Sequence, residues 1–261
     1  MSIALPARAK LNLDLAVLGR RPDGYHDLRT TLQAIDLHDL VALAPARETE
    51  LTITGLPVTN PNHNSVLQAL DALEIATSRH LPTRIHLHKQ IPPGSGMGGA
   101  SSDAATALRA LAALHHVTAD LTAIARQLGA DVPFFLTGGT AIAGQRGDHL
   151  TPIPTQPMWF AIAWPGVELP TPDVYRAWDD MDEPPAHAPN HLTEAAMSIE
   201  PRLKEFANAL NNLQGDPKHT WQMTGSGSAF FLRTTSKKEA RQATSQLKCW
   251  AAVAQSIGPW A

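Results

Sequence analysis

The chain contains few cysteines and no long hydrophobic run. Its single cysteine, Cys249, excludes an internal disulfide and favours a reducing compartment. The best apolar stretch, MWFAIAW from Met158, has the length of a strand and is too short to cross a bilayer. Arg8, Lys10 and Asp14 interrupt the amino-terminal segment, so we expect no signal-peptide core there. These absences predict a soluble, cytoplasmic protein with no membrane partner.

Positive charge is also scarce. The chain has 21 basic and 24 acidic residues, a net charge of -3 and a pI near 6.4. A general nucleic-acid binder usually carries a basic face, so no nucleic-acid partner is expected. An apolar fraction of 43% over 261 residues is typical of a globular protein with one large domain or two moderate ones.

Glycine is concentrated in one stretch. PPGSGMGGASSDAA, which begins at Pro92, holds four glycines and three serines directly before an alanine-rich helix. It matches G-x-G-x-x-G, but a dinucleotide site needs a strand soon after the helix, and here a second helix starting near Asp120 follows. No Lys-Ser or Lys-Thr pair completes a Walker A motif. A plain turn remains the alternative, yet it needs only one or two glycines. Bare backbone before a helix favours a phosphate site, because N–H groups and the helix dipole both attract anions.

Periodicity predicts alternating strands and helices along the chain. KLNLDLAVLG predicts a half-buried strand with Lys10 and Asn12 on one face. Three short strands, a helix starting at Asn64 and a strand over TRIHLHK lead to the glycine stretch, and two helices and a strand over DVPFFL follow it. The proline-rich residues 152–157 predict a boundary between domains 1–153 and 154–261. In the second domain we predict strands over MWFAIAW, TWQMTGSGSAFFLR and WAAVAQSI, and helices over EPRLKEFANALNNL and SKKEARQATSQLK.

Four ordered motifs resemble those of a known family. PPGSGMGGASSDAA is similar to the second motif of the GHMP kinases, and ARAKLNLDLAVLGRRPDGYHDL, LGADVPFFLTGGTA and TGSGSAFF resemble signatures of its 4-diphosphocytidyl-2-C-methyl-D-erythritol kinase subfamily. The resemblance implies a two-domain α/β (α+β) fold. Its amino-terminal, ATP-binding domain would be ribosomal-protein-S5-like and its carboxy-terminal domain ferredoxin-like, with the active site in the cleft between them. The implied activity is ATP-dependent phosphorylation of the substrate's 2-hydroxyl in the non-mevalonate isoprenoid pathway. Another small-molecule GHMP kinase, acting on homoserine or mevalonate, and a non-catalytic nucleotide-binding module are the alternatives.

The resemblance also implies roles for individual residues. Taken alone, Asp131 is typical of a capping aspartate and Lys10 of an exposed cation; the family pattern makes Asp131 the base and Lys10 its partner. Tyr25 is expected to stack on cytosine and His26 to hydrogen-bond to it. Tyr175 is expected on the other face of the base, where its alternative role is packing on a helix face. The remaining expected substrate contacts are Asn12 and Thr171.

ATP is the implied co-substrate. Mg²⁺ is expected to be held mainly through ATP, with Ser102 as the candidate protein contact; the histidines show no metal-ligand spacing. The expected ATP-binding residues are Asn64, Pro92, Pro93, Gly94, Ser95, Gly96, Met97, Gly98, Gly99, Ala100, Ser101 and Ser102.

One motif departs from the family pattern. The family usually carries Asn-Asp-Leu-Glu early in the second half, and here residues 190–193 read Asn-His-Leu-Thr. Gly225 and Gly227 are expected to border the active site. Small molecules are the only implied partners, bound by a monomer or a homodimer.

Overall fold

Two β-sheets organise the fold. The computed structural model describes residues 2–58, 63–181, 187–214 and 220–260. The first sheet has six strands in the order β3-β4-β2-β5-β6, with β1 also paired to β2, and the second has four in the order β10-β7-β9-β8. The elements of the first half are β1 (Ile3–Arg20), β2 (His26–Pro45), β3 (Glu50–Gly55), α1 (Ser65–Thr77), β4 (Thr83–Lys89), α2 (Gly99–Leu114), α3 (Leu121–Leu128), α4 (Phe134–Thr137), β5 (Thr140–Gln145) and β6 (His149–Ile153). Those of the second half are β7 (Trp159–Trp164), α5 (Thr171–Asp179), α6 (Thr193–Ile199), α7 (Arg202–Gln214), β8 (Gln222–Met223), β9 (Phe230–Thr234), α8 (Lys237–Thr244) and β10 (Trp250–Gln255).

Local sequence signals fix the helices that pack on the first sheet. Asn64 caps α1, its side chain accepting from the Val66 N–H. The helix α2 is buried along most of its length, because its alanines and leucines present small apolar surface to both the sheet and α1. These helices and the sheet form the first core, which confirms the helices predicted on either side of the glycine stretch.

Strand β1 differs from the half-buried strand predicted for it. Leu11 and Leu13 pack in a core with residues of the second sheet, as expected for one face. On the other face Lys10 and Asn12 are also buried, with 4% and 5% of their surfaces exposed. That face borders a cleft whose other walls shield Lys10 and Asn12 from solvent. The alternating apolar and polar residues of β1 therefore face a core on one side and the cleft on the other.

Three other sequence predictions are corrected. Of the three short strands predicted before Asn64, the first two, over TLQAIDL and DLVALAP, form the single strand β2. DVPFFL is not a strand: Pro133 adopts a helical conformation and starts the short helix α4, which buries two adjacent phenylalanines. TWQMTGSGSAFFLR is an antiparallel pair, β8 and β9, joined by a glycine-containing turn at residues 224–229. The helices α5 and α6 were not predicted; α5 begins among prolines and α6 spans only seven residues.

The end of the chain returns to the first sheet. Ile257 donates its N–H to the carbonyl of Ala34, and Trp260 donates to the carbonyl of Thr137 at 2.9 Å. A Cβ atom at Gly138 would lie 2.0 Å from the Trp260 ring, so only glycine permits this approach. The sheets change between Ile153 and Trp159, while the domain division at residue 153 stays a prediction.

Within the described ranges, no helix has the length and apolar character needed to span a bilayer.

Candidate active site

A cleft of about 820 Å³ lies where the glycine stretch, β1 and the second half of the chain meet. That volume is within the range of small-molecule sites. Most of the residues predicted from the sequence line it: Lys10, Asn12, Tyr25, His26, Asn64, Pro92, Pro93, Gly94, Ser95, Gly96, Gly98, Gly99, Ala100, Ser101, Asp131, Thr171 and Tyr175. The fold therefore gathers residues that are far apart in sequence into one cavity.

Lys10 lies at the centre of the cleft. Its Nζ donates to Asn12 Oδ1 at 2.5 Å and to the carbonyl of Gly96 at 2.7 Å, and lies 3.6 Å from Asp131 Oδ2. Burial lowers the pKa of Lys10, and the charge of Asp131 opposes that shift. The ammonium group is thus held between the glycine stretch and the carboxylate.

Asp131 lies in the turn between α3 and α4, where Val132 donates its N–H back to the carbonyl of Gly129. Its side chain is 34% exposed, so the carboxylate is open to a ligand although Lys10 beside it is buried. Burial raises the pKa of the neighbouring Tyr175, and the charge of Asp131 adds to this. The carboxylate therefore acts on groups from both halves of the chain.

The glycine stretch, residues 92–102, forms a tight loop that ends at the start of α2; we call it the glycine loop. Gly94, Gly96 and Gly98 all have positive φ, and Gly98 is the N-cap of α2 without a side-chain hydrogen bond. The first-turn N–H groups of a helix have no partners within it. In α2 these begin at Gly99, beside the cleft, where unpaired backbone N–H groups and the helix dipole favour negative charge.

A second loop supports the first. Ser228 and Ala229 donate N–H groups to the carbonyls of Gly94 and Ser95 at 3.2 and 3.0 Å. Gly225 lines the cleft, and the carbonyl of Gly227 lies close beneath Gly96. The TGSGS turn therefore buttresses the glycine loop from the second half of the chain.

The segment that departs from the family pattern holds this turn in place. Asn190 is buried, donates to the carbonyls of Met223 and Gly225 at 2.9 and 2.8 Å, and accepts from the N–H of Leu192. His191 Nδ1 accepts from the N–H of Val17 at 3.2 Å. The retained asparagine makes the contacts to the turn, and the histidine contacts β1.

Aromatic side chains surround the other end of the cleft. The rings of His26 and Tyr175 stack with centroids 4.8 Å apart, and Trp178 meets His26 edge-on. Tyr25 is 58% exposed, and the guanidinium of Arg146 lies 4.8 Å from its ring centroid. An exposed aromatic face beside a partly enclosed ring suits a planar ligand.

A buried charge cluster lies beneath the glycine loop and consists of Asp39, Lys89 and Asp103. Lys89 Nζ bonds to Asp39 and, at 2.7 Å, to Asp103 Oδ2; Asp39 Oδ1 also accepts the N–H groups of Gln90 and Ile91. Burial and the charge of Asp39 raise the pKa of Asp103 to about 8, against the opposing effect of Lys89. The cluster ties β2 and β4 to α2.

Two predicted ATP-binding residues do not line the cleft. Met97 is fully buried among apolar side chains, and the buried Ser102 Oγ has no hydrogen-bond partner. Asn64 lines the cleft while capping α1. Among the described residues no cluster of three or more metal-ligating side chains occurs.

Sequence reasoning missed Arg146, Asp179 and the buried charge cluster. Arg146 lies in the turn between β5 and β6, and Asp179 at the end of α5 contacts His26 across 153 positions. No periodic pattern marks such residues. The charge of Asp179, four residues after the predicted substrate contact Tyr175, was the only signal in the sequence.

The sequence of this chain is similar to those of known kinases. Residues 64–139 match the family model for the GHMP kinases N terminal domain. The chain is 38% identical to the 4-diphosphocytidyl-2-C-methyl-D-erythritol kinase of Thermus thermophilus, over 94% of this chain and 92% of that protein. It is 37% identical to the Aromatoleum aromaticum enzyme of the same name, over 91% and 86% of the two chains.

Solved structures agree with this relationship. A crystal structure of 4-(cytidine 5'-diphospho)-2C-methyl-D-erythritol kinase matches with a TM-score of 0.83 and 35% identity, covering 98% of this chain and all of that one. Homoserine kinase from Cytophaga hutchinsonii matches at a TM-score of 0.68 and 19% identity over 99% and 95% of the chains, which shows a shared fold only. The predicted mixed α/β fold of a GHMP kinase is confirmed. The chain belongs to the 4-diphosphocytidyl-2-C-methyl-D-erythritol kinase family of GHMP kinases.

Proposed function

We propose that the protein transfers the γ-phosphoryl group of ATP to the 2-hydroxyl of 4-diphosphocytidyl-2-C-methyl-D-erythritol. The observation that carries this proposal is the Lys10–Asp131 pair, which faces an open cleft beside a helix amino terminus. The family relationship supplies the identity of the two substrates. Phosphoryl transfer depends mainly on positioning and on charge stabilisation, and this site offers both.

Asp131 is the proposed base. Its partly exposed carboxylate accepts the proton of the attacking hydroxyl, whose oxygen forms the new bond to phosphorus while the bond to the ADP oxygen breaks. The Lys10 ammonium group pairs with the Asp131 carboxylate and stabilises charge that develops on the transferred group. Because Lys10 also bonds to the carbonyl of Gly96, it links the acceptor hydroxyl to the phosphate site.

The glycine loop is the proposed triphosphate site. Backbone N–H groups from Gly99 onward, at the start of α2, would bind the phosphates, and the dipole of this 16-residue helix favours their charge. Met97 acts indirectly, by anchoring the loop in the core. Asn64, whose side-chain oxygen accepts the capping bond, would lie near the adenine end.

Mg²⁺ fits the site through ATP and not through a carboxylate cage. Ser102 Oγ, the expected protein contact, is buried and unpartnered but does not line the cleft, so the phosphates of ATP would hold the ion. The carboxyl of Asp103 is turned toward Lys89 and has a pKa raised to about 8, which disfavours it as a ligand at neutral pH. The ion would neutralise charge on the phosphates.

The aromatic end is the proposed cytidine site. Tyr25 would stack on the base and His26 would hydrogen-bond to it, while Tyr175, stacked on His26, would close the opposite side. Asn12, bonded to Lys10, would contact the polyol near the reacting hydroxyl. Thr171 hydrogen-bonds to Ser226 in the TGSGS turn. A substrate bound to Thr171 would therefore also be connected to the turn that supports the glycine loop.

A coupled ADP-release assay tests this function. The purified protein would be given ATP, Mg²⁺ and, in parallel, the cytidylylated polyol, homoserine or mevalonate. Turnover restricted to the cytidylylated polyol is expected. Turnover of homoserine or mevalonate would instead assign the chain to another GHMP kinase activity, and ATP binding without transfer to any of the three would favour the non-catalytic alternative.

A further inference from the structure

We propose that Asp179 is a positioning residue that fixes the ring and the tautomer of His26, and so sets the preference for cytosine over uracil. This inference rests on the proposed function, since it assumes that His26 meets the base. It concerns a residue from α5, which is remote in sequence from the Tyr25–His26 pair.

Asp179 contacts His26 directly. The distance from His26 Nε2 to Asp179 Oδ1 is 2.6 Å, and the other carboxylate oxygen lies 3.7 Å from Nη1 of Arg20. The side chain of His26 is 7% exposed and that of Asp179 is 20% exposed, so water competes weakly for this bond. A short, shielded bond to a carboxylate is among the stronger hydrogen bonds in proteins.

One face of α5 encloses the imidazole. Tyr175, Trp178 and Asp179 are spaced three and four residues apart, which places them on one side of the helix. Tyr175 covers a face of the ring, Trp178 meets it edge-on, and Asp179 binds Nε2. The ring cannot rotate without breaking the bond to Asp179.

The bond also determines where the proton lies. An ionised carboxylate only accepts, so Nε2 carries hydrogen, and in the neutral ring Nδ1 is then an acceptor. With Nε2 occupied by Asp179, Nδ1 is the ring nitrogen left for a ligand in the cleft. In this tautomer the ring offers the base an acceptor of fixed position.

A fixed acceptor distinguishes the two pyrimidines. Cytosine carries an amino donor at position 4, whereas uracil has a carbonyl acceptor at the equivalent place. The amino group can donate to Nδ1, but the carbonyl oxygen would face another lone pair and lose its hydrogen bond on leaving water. Without Asp179 the ring is free to carry its proton on Nδ1 instead, and this form suits uracil.

Binding of CDP and UDP to the intact protein tests the inference by calorimetry. We expect the parent to prefer CDP. Asp179→Ala should weaken CDP binding by about five- to 150-fold, the range for one lost buried hydrogen bond, and should bring the CDP/UDP ratio toward one. Asp179→Asn should lose less, because its amide oxygen still accepts from Nε2. Asp180→Asn removes the same charge from the exposed neighbouring position and is the matched control.

Kinetics separate positioning from simple damage to the fold. With the cytidylylated acceptor, Asp179→Ala should raise KM while kcat changes by less than about threefold, since the Lys10–Asp131 pair is untouched. Asp179→Ala should add nothing in a His26→Ala background. Circular dichroism identifies a variant that fails to fold, in which case Asp179→Asn decides.

The outcomes for the two proposals are distinct. An unchanged CDP/UDP ratio in folded Asp179 variants, or a parent that binds both nucleotides equally, overturns the role of Asp179. A parent that binds CDP selectively but phosphorylates no cytidylylated acceptor overturns the proposed function and leaves the role of Asp179 supported by the binding ratio.

Discussion

Lys10 Nζ lies 3.6 Å from Asp131 Oδ2, although only the lysine is buried. One partner comes from the middle of β1 and the other from the turn before α4, and the partial exposure of Asp131 leaves its carboxylate open to a hydroxyl in the cleft. Charge complementarity and the difference in exposure give them different tasks. The buried ammonium group of Lys10 holds positive charge beside the cleft, and the accessible carboxylate of Asp131 can exchange a proton with a substrate.

Asp131→Asn tests the role of the carboxylate. The amide keeps the shape but accepts a proton poorly, so kcat should fall by about 10²–10⁴, the usual contribution of a general base. ATP affinity, measured calorimetrically, should stay within twofold of the parent. Asp71→Asn, an exposed carboxyl on α1, is the control. Activity within tenfold of the parent would remove Asp131 from the role of base.

Gly98→Ala tests the glycine loop. Gly98 has φ of +72°, and an added Cβ would lie 2.7 Å from Phe135 Cζ and 3.2 Å from Lys10 Cε. Strain and crowding together should lower the free energy of unfolding by about 1–3 kcal/mol, and ATP binding should weaken because the loop must shift. Urea unfolding and calorimetry measure the two effects.

Gly144→Ala is the matched control for that change, since a Cβ there meets no atom within 4 Å. If the two folded variants bind ATP with equal affinity, the glycine loop is a plain turn and not a phosphate site.

Tyr25→Ala tests the cytidine site. Loss of a base–aromatic stack should weaken binding of the cytidylylated substrate by about 1–3 kcal/mol, or about five- to 150-fold in Kd. ATP affinity should be unaffected. The uncytidylylated polyol phosphate should be a poor substrate and insensitive to the change, and Tyr25→Ala and His26→Ala should be non-additive. An equal loss for both acceptors would disconnect Tyr25 from the base.

Asp103→Asn tests the buried charge cluster through pH. The folded protein raises the pKa of Asp103 from its ordinary value of 3.8 to about 8, so the native state binds more protons than the unfolded chain between these values. This stabilisation is complete below about pH 4 and is lost as pH rises toward 8. The parent should therefore lose stability relative to Asp103→Asn across that window and change little above it. Urea titrations at intervals from pH 4 to 9 measure the difference, and a constant offset would contradict the assigned shift.

Local signals explain what the sequence predicted correctly. The strand β4 and the helices α1 and α2 follow from alternation, an Asn cap and an alanine-rich run. The glycine loop was recognisable because a plain turn needs only one or two glycines, whereas this stretch contains four. Lys10 and Asn12 were placed on one face by period two, but their burial depends on cleft walls that the strand's own sequence does not encode.

Contacts between distant segments explain what was missed. Phe134 and Phe135 suggested a strand, whereas both lie in the short helix α4 and are buried in the core that it shares with α2. The role of Asp179 becomes apparent only because the fold brings α5 against His26. The role of Asp103 becomes apparent only because Lys89 lies beneath α2. Such pairings arise from tertiary packing, which no window along the chain contains.

The contact between Trp260 and Gly138 has a consequence for synthesis. The first sheet ends at Ile153, but Ile257 and Trp260, which join it to Ala34 and Thr137, follow about 100 residues later in the sequence. At ordinary translation rates the nascent sheet would wait roughly 5 to 20 s for them. Until then Gly138, at the end of α4, lacks the indole packed against it, so the ribosome-bound chain should complete the strands of the first sheet before the end of α4 is fixed.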